Sequence, residues 1–365
     1  MEIDPVCKME VNETEALTAR CNGAVYYFCS HGCREKFMKA HPEGRRLYDL
    51  IIIGGGPAAL TAAVYASTMK IDAFVIARDL GGQALDSSKI ENYMGYDFIT
   101  GPELIDKFKG QLLHSHYVDH LMNMVVSVGP SADGFTVTTA DRRTYAATAV
   151  LVATGMARRR LNVPDEEEFQ RRGVLYGNIQ DYAFVQGEDV AVIGGGNSAL
   201  QIVENLRAVA KQVHLVSDEK LSADEGIVER VKKFENLRIY ENATVMEFTG
   251  NESLTGVTIR TERGESTHTL VKGVFIAIGF HPNSSILGGI VELNDRREIE
   301  IAPDCTTSYP GIFAAGDVTN AFGKRIIIAS AEGAKAALAA RHFIMNRNTE
   351  DPHERKEELR VSQDG

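Results

Sequence analysis

The 365-residue chain contains no apolar run approaching the ~20 residues that a membrane-crossing helix needs, which argues against a membrane span. It has no excess of positive charge either. A net charge of −11 and an isoelectric point near 5.5 argue against a general nucleic-acid surface. Met1-Glu2-Ile3-Asp4-Pro5 shows neither the basic nor the apolar part of a signal peptide, so a cytoplasmic protein is expected. Cysteine is scarce beyond residue 33: Cys7, Cys21, Cys29 and Cys33 fall at or before that point and Cys305 stands alone after it. A cytosolic cluster of this kind points to a metal or redox site rather than a disulfide framework, and Cys305 reads as an inert buried thiol. No C-x-x-C pair occurs anywhere. The remaining composition, 44% hydrophobic and 24% charged, is that of a globular chain with ample core. At ~150 residues per domain the length suggests two to three domains.

One pattern occurs twice. Leu50-Ile51-Ile52-Ile53-Gly54-Gly55-Gly56-Pro57-Ala58-Ala59 is echoed by Val190-Ala191-Val192-Ile193-Gly194-Gly195-Gly196-Asn197-Ser198-Ala199. Each reads as a buried strand, a glycine turn and a helix start. The first glycine of such a turn permits the tight bend, and the next in the motif lets the backbone approach a pyrophosphate. The small Ala59 or Ala199 lets helix and strand pack closely. The helix N-terminus offers N–H groups and partial positive charge to phosphate. Two copies imply two dinucleotides, most simply a flavin and a nicotinamide.

The periodicity predicts a first unit with strand Asp49–Ile53, helix Pro57–Met69 and strand Asp72–Ala77. Residues 134–152 read as a small β insertion, and a strand over Ala149–Ala153 ends at Thr154-Gly155. A second unit runs through strand Asp189–Ile193, helix Asn197–Ala210 and strand Gln212–Ser217. Strand Gly273–Ala277 ends at Gly279, Gly311–Ala315 leads into Gly316-Asp317, and a last helix is expected over Ser330–Ile344. The predicted domains are a cysteine module at 1–44, a discontinuous FAD domain at 45–157 and 281–346, a NAD domain at 158–280, and a mobile tail at 347–365. Two chain crossings between the nucleotide domains would form a hinge that permits rotation. Arg158-Arg159-Arg160, at that hinge, reads as a solvated turn or an interdomain contact.

In the N-terminal module, Leu17–Cys21 and Ala24–Cys29 flank Asn22-Gly23, a hairpin signal, and Ser30–Ala40 follows as a short helix. Cys29 and Cys33 share one helix face at i and i+4, and Cys7 closes the set from the N-terminal loop. Three thiolates suit Zn²⁺, Cu⁺ or Hg²⁺, with Cys21 or His31 as a fourth ligand; buried or free thiols are the alternative. So short a module buries little apolar surface, and a metal would help to hold it.

From Leu47 to Met345 the motifs Gly54–Ala59, Gly81-Gly82-Gln83, Glu91-Asn92-Tyr93, Ala153-Thr154-Gly155, Gly194–Ala199, Ala277-Ile278-Gly279 and Ala314-Ala315-Gly316-Asp317 occur in order. In this the chain resembles thioredoxin reductase-like flavoproteins. The stretch Lys324–Lys335 is most similar to the flavoprotein cores of alkyl hydroperoxide reductase subunits. Residues 3–44, through Asp4-Pro5-Val6-Cys7 and Tyr26-Tyr27-Phe28-Cys29, resemble the YHS/TRASH family of metal-handling modules. The expected fold is α/β: two nested Rossmann-like three-layer dinucleotide-binding domains behind a treble-clef-like α+β module.

The resemblance implies site roles. Gly54, Gly56 and Ala59 would hold the FAD pyrophosphate, and Gln83 and Asn92 would lie near the flavin. Asp317 would bind the ribitol or pyrophosphate region, a helix cap being the alternative. Arg325, Ile326 and Ile327 would face the pyrimidine edge. Pro57, Ala58, Gly82, Thr154, Gly155, Gly194, Gly196, Asn197, Ser198, Gly279 and Gly316 complete the cofactor-binding set with Asp218. Homodimerisation is the family default.

Three departures shape the functional expectation. Gly177-Asn178-Ile179-Gln180-Asp181 stands where the family carries its dithiol, so a relay through a core dithiol is excluded. Asp181 is left either as a proton-transfer group or as a turn residue. Ser217-Asp218-Glu219 replaces the arginines of NADPH-preferring members. A carboxylate there would accept from a ribose 2′-OH and repel a 2′-phosphate, favouring NADH; a solvated loop is the alternative. Ala77-Arg78-Asp79 supplies no clear acidic ribose partner in the first unit. The predicted enzyme passes hydride from NADH to FAD, which needs the rings within ~3.5 Å, and domain rotation would make a conformational step rate-limiting. The first acceptor reading is a thiol-bound metal or disulfide of the module, with Cys29 and Cys33 catalytic. The second is a small redox protein (ferredoxin or flavodoxin) or a quinone. The third is a metal- or redox-sensing flavoprotein with little turnover.

Overall fold

The computed structural model describes residues 2–13, 16–21, 24–40, 46–87, 89–113, 117–132, 134–170, 172–176 and 179–349. The expected tail from residue 350 on and Asn22-Gly23 lie outside these, as do residues 41–45. The chain divides into two compact units, Met1–Met156 with Pro282–Gly365, and Ala157–His281. The two boundary segments, Met156–Arg158 and Phe280–Pro282, pair as a two-stranded sheet. No helix among the described residues is long and apolar enough to cross a membrane.

The first unit is built on a seven-stranded sheet. Strands Val118–Met122, Ala73–Ala77, Leu47–Ile53, Thr144–Val152 and Ile312–Ala314 run parallel. Val125–Ser131 and Gly134–Thr139 extend the sheet antiparallel beside the first half of Thr144–Val152, so this β element begins before the expected residue 134. Leu47–Ile53 is buried on both faces, as parallel central strands are. Leu50 and Ile52 pack under the helices, while Ile51 and Ile53 join the core formed with Val125, Val137 and Leu287.

Two helices on the first face approach unusually closely. Helix Pro57–Thr68 carries Ala58, Ala62, Ala63 and Ala66, and helix Ile326–Thr349 carries Gly333, Ala336, Ala337 and Ala340. A Cβ on Gly333 would lie 2.1 Å from the Ala58 carbonyl oxygen. This packing recruits Ile326–Ile328, a β-branched run with poor intrinsic helix preference, into the helix. The helix therefore starts before the expected Ser330, and it continues through 347–349, residues expected to belong to the tail. Helix Gly101–Leu113 is not among the predicted elements, yet its signal is local. Glu103 Oε2 accepts the Thr100 amide at 3.0 Å, and the Glu103 amide donates to Thr100 Oγ1 at 3.3 Å, a reciprocal capping box.

The second unit holds a five-stranded parallel sheet in the order Val174–Leu175, Gly273–Ile276, Asp189–Ile193, Gln212–Val216, Leu237–Tyr240. Helix Asn197–Leu206 packs on it through Ala199, Leu200 and Val203. A three-stranded antiparallel sheet, 243–250, 254–261 and 266–270, covers another face. Arg158 lies over the rings of Tyr176 and Phe280, at 4.6 and 5.1 Å, and Arg160 pairs with Glu167, so both are local contacts of this unit.

The N-terminal module is the hairpin Leu17–Cys21/Ala24–Phe28 followed by helix His31–Ala40, around Leu17, Ala19, Phe28 and Phe37. Within the first unit it is held to the seven-stranded sheet by buried charge. Arg34, 2% exposed, pairs with Asp72, 1% exposed; Arg46 joins Asp72 at 2.9 Å and also Asp119. Thr18 Oγ1 donates to the Leu47 carbonyl at 3.1 Å, and Tyr117 packs against the module core. Asp72, Leu47 and Tyr117 all stand at or just before the N-terminal ends of parallel strands. The glycine turn after Ile53 is at the other end of that strand, whose seven residues span roughly 20 Å.

Candidate functional site

The two glycine turns have the same geometry. Gly54 (φ +125°) and Gly194 (φ +130°) sit in a region that side-chain-bearing residues rarely adopt. A Cβ would lie 2.2 Å from the Ala153 carbonyl oxygen in the first case and 2.3 Å from that of Ala277 in the second. Gly55 and Gly195 pack against the end of the next strand, where a Cβ would meet Asp79 O at 1.8 Å or Ser217 Oγ at 2.4 Å. These middle glycines are structural necessities that the motif spacing does not single out. Gly56 and Gly196 differ in kind. Each is the N-cap of its helix in ordinary extended conformation, no side chain caps either helix, and a Cβ there would meet nothing within 4 Å. Ala59 and Ala199 are fully buried against their strands. The result is an open cradle at an uncapped helix N-terminus, and it fits a pyrophosphate in both units.

Around the first cradle the chain converges. Thr154 N lies 3.2 Å from a Cβ on Gly54, Gly56 Cα lies 3.3 Å from one on Gly82, and Ala58 Cβ lies 3.0 Å from one on Gly316. Asp79 Oδ1 accepts the Gly82 amide at 2.8 Å, so this carboxylate shapes the turn. Thr154 Oγ1 donates to Asn283 O at 2.8 Å, Asn283 Nδ2 returns a bond to Thr154 O at 2.9 Å, and the Asn283 amide donates to Gly155 O at 3.0 Å. Gln83 Nε2 donates to Met156 O.

Asp317 follows strand Ile312–Ala314, half-buried. Burial pushes its carboxyl pKa up, against the opposing pull of Lys324 and Arg325. Glu332 and Lys324, to which sequence reasoning gives no role, organise this corner. The buried Glu332 accepts the Gly316 amide at 2.7 Å, and its pKa is likewise raised by burial. Lys324 donates to Thr319 O and pairs with Glu298 at 3.1 Å. Ile326 packs with Ile90, Ile99 and Leu104, whereas Asn92 stands exposed and Arg325 Nη1 turns back to Lys324 O at 3.1 Å.

In the second unit, Asn197 is tied to the following loop: its Oδ1 accepts the Asp224 amide at 2.8 Å and its Nδ2 donates to Asp224 Oδ2 at 3.1 Å. Ser198 and Asp218 are exposed, the latter just past the strand that flanks the glycine turn. Gly279 (φ +90°) accepts the Arg159 amide at 3.0 Å. Asp181 Oδ2 accepts the Tyr176 amide at 3.2 Å, a turn-stabilising contact. Gly177 and Asn178 lie outside the described residues.

In the module, one ligand atom each from Asp4, Cys7, Cys29 and Cys33 lies within 4.8 Å of the others. Cys7 Sγ is 3.3 Å from Cys29 Sγ, and Cys33 Sγ is 3.7 Å from Cys29 Sγ. Among the described residues the fourth group is Asp4; of the two expected candidates, His31 has its Nδ1 facing Arg34 Nη2 at 2.9 Å, and the Cys21 side chain lies outside what is described. Asp4 is fully buried, which opposes its charge, yet the amides of Cys29, Val6 and Cys7 keep its carboxyl well below the usual range. The same carboxylate and the Cys7 thiol push the Cys29 pKa up to about 12. A soft cation would reverse that balance by binding the thiolate. The donor set fits such an ion.

Comparison with known proteins agrees with this geometry. Residues 48–339 match the family model "Pyridine nucleotide-disulphide oxidoreductase", and residues 3–44 match that of the YHS domain. The chain is 37% identical over 305 residues to the alkyl hydroperoxide reductase F protein of Pseudomonas putida, covering 82% of this chain and 58% of that protein. It is 35% identical over 301 residues to a protein named NADH dehydrogenase from Bacillus subtilis, covering 82% and 59%. The chain thus spans just under three fifths of the length of these relatives. Among solved structures, Lactococcus lactis thioredoxin reductase superposes with a TM-score of 0.65 at 32% identity, over 82% of this chain and 99% of that one. With two matching glycine cradles on a thioredoxin reductase-like α/β core and a YHS domain in front, the chain belongs to the pyridine nucleotide-disulphide oxidoreductase family, whose members depend on FAD and NAD(P)H.

Proposed function

We propose that this protein is an NADH-dependent FAD oxidoreductase that delivers electrons to an external carrier, a small redox protein or a quinone, rather than to a dithiol of its own core. The observation that carries the reading is the matched pair of open cradles at Gly56 and Gly196 in a chain that contains no C-x-x-C. When bound, FAD accepts a hydride from the nicotinamide and passes the electrons on. The chain's own residues bind and orient. The N-terminal turns of the Pro57 and Asn197 helices hold the two pyrophosphates, Asp317 holds the ribitol side of the flavin, and Asp218 accepts from the nucleotide ribose. A homodimer in the cytoplasm belongs to the same reading.

The module's position supports an external acceptor. The Arg34–Asp72 pair ties the module to strand starts opposite the Gly54 turn, roughly 20 Å along the sheet, whereas covalent or hydride chemistry needs reacting atoms within ~3.5 Å. The contact between Cys7 and Cys29 keeps a second reading, in which the module's thiols or their metal are reduced. A test uses the full chain with NADH and, in turn, a ferredoxin, a flavodoxin and a quinone. A Cys29→Ser/Cys33→Ser variant should reduce the best carrier within about twofold of wild type, the spread of ordinary surface substitutions. A loss of tenfold or more would transfer the role to the module. Negligible turnover with every carrier, despite bound flavin, would support the sensing reading instead.

Asp218→Ala should lower kcat/KM for NADH by about tenfold, the value of one hydrogen bond to a charged group, while kcat/KM for NADPH rises as the repulsion goes. An unchanged NADH/NADPH ratio would remove Asp218 from the nucleotide site.

A further inference from the structure

We propose that Glu332 is a positioning residue for the flavin: by accepting the Gly316 amide, its buried carboxylate locks the turn that carries Asp317 and presents that group to the cofactor. This rests on the reading of Asp317 as the group that holds the ribitol side of FAD, and adds the residue through which Asp317 is kept in place.

Asp317 does not fix itself. Among the described residues nothing donates a hydrogen bond to its half-buried carboxylate, and Lys324 and Arg325 act on it only as neighbouring charges. Its position is therefore set by the backbone of the Gly316–Thr319 turn. That turn closes on itself, since the Thr319 amide and Thr319 Oγ1 both donate to Gly316 O, at 3.0 and 2.8 Å. The Gly316 amide is left over, at a residue of positive φ (+80°), and it donates to Glu332 Oε2 at 2.7 Å. The same oxygen lies 3.5 Å from Thr319 Oγ1, and Lys324 ties the far end of the turn through Thr319 O. Gly316, Thr319 and Glu332 are all buried, so water competes little for these bonds.

Glu332 is itself placed by packing. The next residue, Gly333, brings helix Ile326–Thr349 against the Ala58 carbonyl, and Gly316 packs against the Ala58 side chain. Ala58 lies two residues beyond Gly56 of the first cradle. One carboxylate thus links the Asp317 turn to a helix seated on the cradle helix. A binding group held in this way loses little freedom when its ligand arrives. Burial raises the Glu332 pKa, against the Gly316 amide, Lys324 and Lys335, but a carboxyl accepts a hydrogen bond in either protonation state. The oxygen of a glutamine would serve as well, whereas alanine leaves the Gly316 N–H buried and unpaired.

The full chain is stripped of flavin and titrated with FAD, following flavin fluorescence and bound flavin per chain. Glu332→Ala should raise the Kd for FAD at least about tenfold, the cost of one buried unpaired donor. Glu332→Gln should stay within about threefold of wild type. Asp317→Ala should weaken FAD about tenfold, and adding Glu332→Ala to it should change the Kd by no more than about twofold, because Glu332 acts through Asp317. Thr319→Val, a milder cut in the same network, should weaken FAD about threefold alone and not at all beside Asp317→Ala, and it carries the test if Glu332→Ala does not fold. Wild-type affinity in Glu332→Ala, equal losses in its alanine and glutamine variants, or losses that multiply in the double variants would overturn the positioning role and leave Asp317 in the site. Wild-type affinity in Asp317→Ala would overturn the reading of Asp317, and the proposal with it.

Discussion

A Gly56→Val protein should fold and remain colourless. Gly56 has an extended backbone that valine adopts readily, and its Cβ would project into open space with no protein atom within 4 Å. That space is the mouth of the uncapped helix, where the flavin pyrophosphate is expected. A branched side chain there excludes the phosphate without disturbing the strand, so FAD affinity should fall by at least about a hundredfold, the effect of a ~3 kcal/mol overpacking clash. Gly196→Val is the matched experiment. It should purify yellow with normal flavin content and resist reduction by NADH, since the second cradle alone is filled. Absorbance at the flavin bands and anaerobic bleaching separate the two. If Gly196→Val loses flavin, or Gly56→Val keeps it, the assignment of one nucleotide to each cradle is wrong. Gly54→Val and Gly55→Val make the contrast: each forces a Cβ to within 2.2 Å or less of a backbone oxygen, so both should fail at folding rather than at binding.

Arg34→Met should loosen the N-terminal module from the seven-stranded sheet while leaving the flavin in place. Arg34 is the largest fully buried side chain among the described residues, and its guanidinium lies against a carboxylate that is itself 1% exposed. Removing one member of a buried pair leaves the other charged and poorly compensated, which typically costs about 3–5 kcal/mol. Arg46, 21% exposed, stays beside Asp72 and softens the loss. We expect about 3 kcal/mol, read as a hundredfold or greater gain in amide exchange for peptides covering 24–40. Asp72→Asn in the Arg34→Met background should recover much of that protection, because the unpaired buried charge is gone. Flavin content should stay near wild type, since the clamp stands at the start of strand Ala73–Ala77 and the Gly54 turn follows the end of its parallel neighbour Leu47–Ile53. Unchanged exchange in the module would mean that the ion cluster is not what docks it.

The two glycine turns are legible because their requirement is local. A tight bend, a positive φ and a small residue after the turn are properties of a few consecutive residues, and they recur wherever a strand must deliver a helix N-terminus to phosphate. The hairpin and the helix that follows it, which bring Cys29 and Cys33 close together, are legible for the same reason. The capping box at Thr100 and Glu103 is equally local, and it marks a helix that periodicity alone does not reveal.

The sequence by itself thus determined the family, the doubled nucleotide-binding architecture, the missing core dithiol and the cysteines of the module. Tertiary structure alone decided that Asp4 organises those cysteines while His31 turns to Arg34, that Asn197 braces the Asp224 loop, and that Asp181 holds a backbone amide. It alone tied the module, through Arg34 and Asp72, to the strand ends opposite the Gly54 turn. The reason is physical. Short-range backbone geometry is written in neighbouring residues, but which carboxylate finds which amide or guanidinium, and whether water is excluded there, depends on segments brought together from far along the chain.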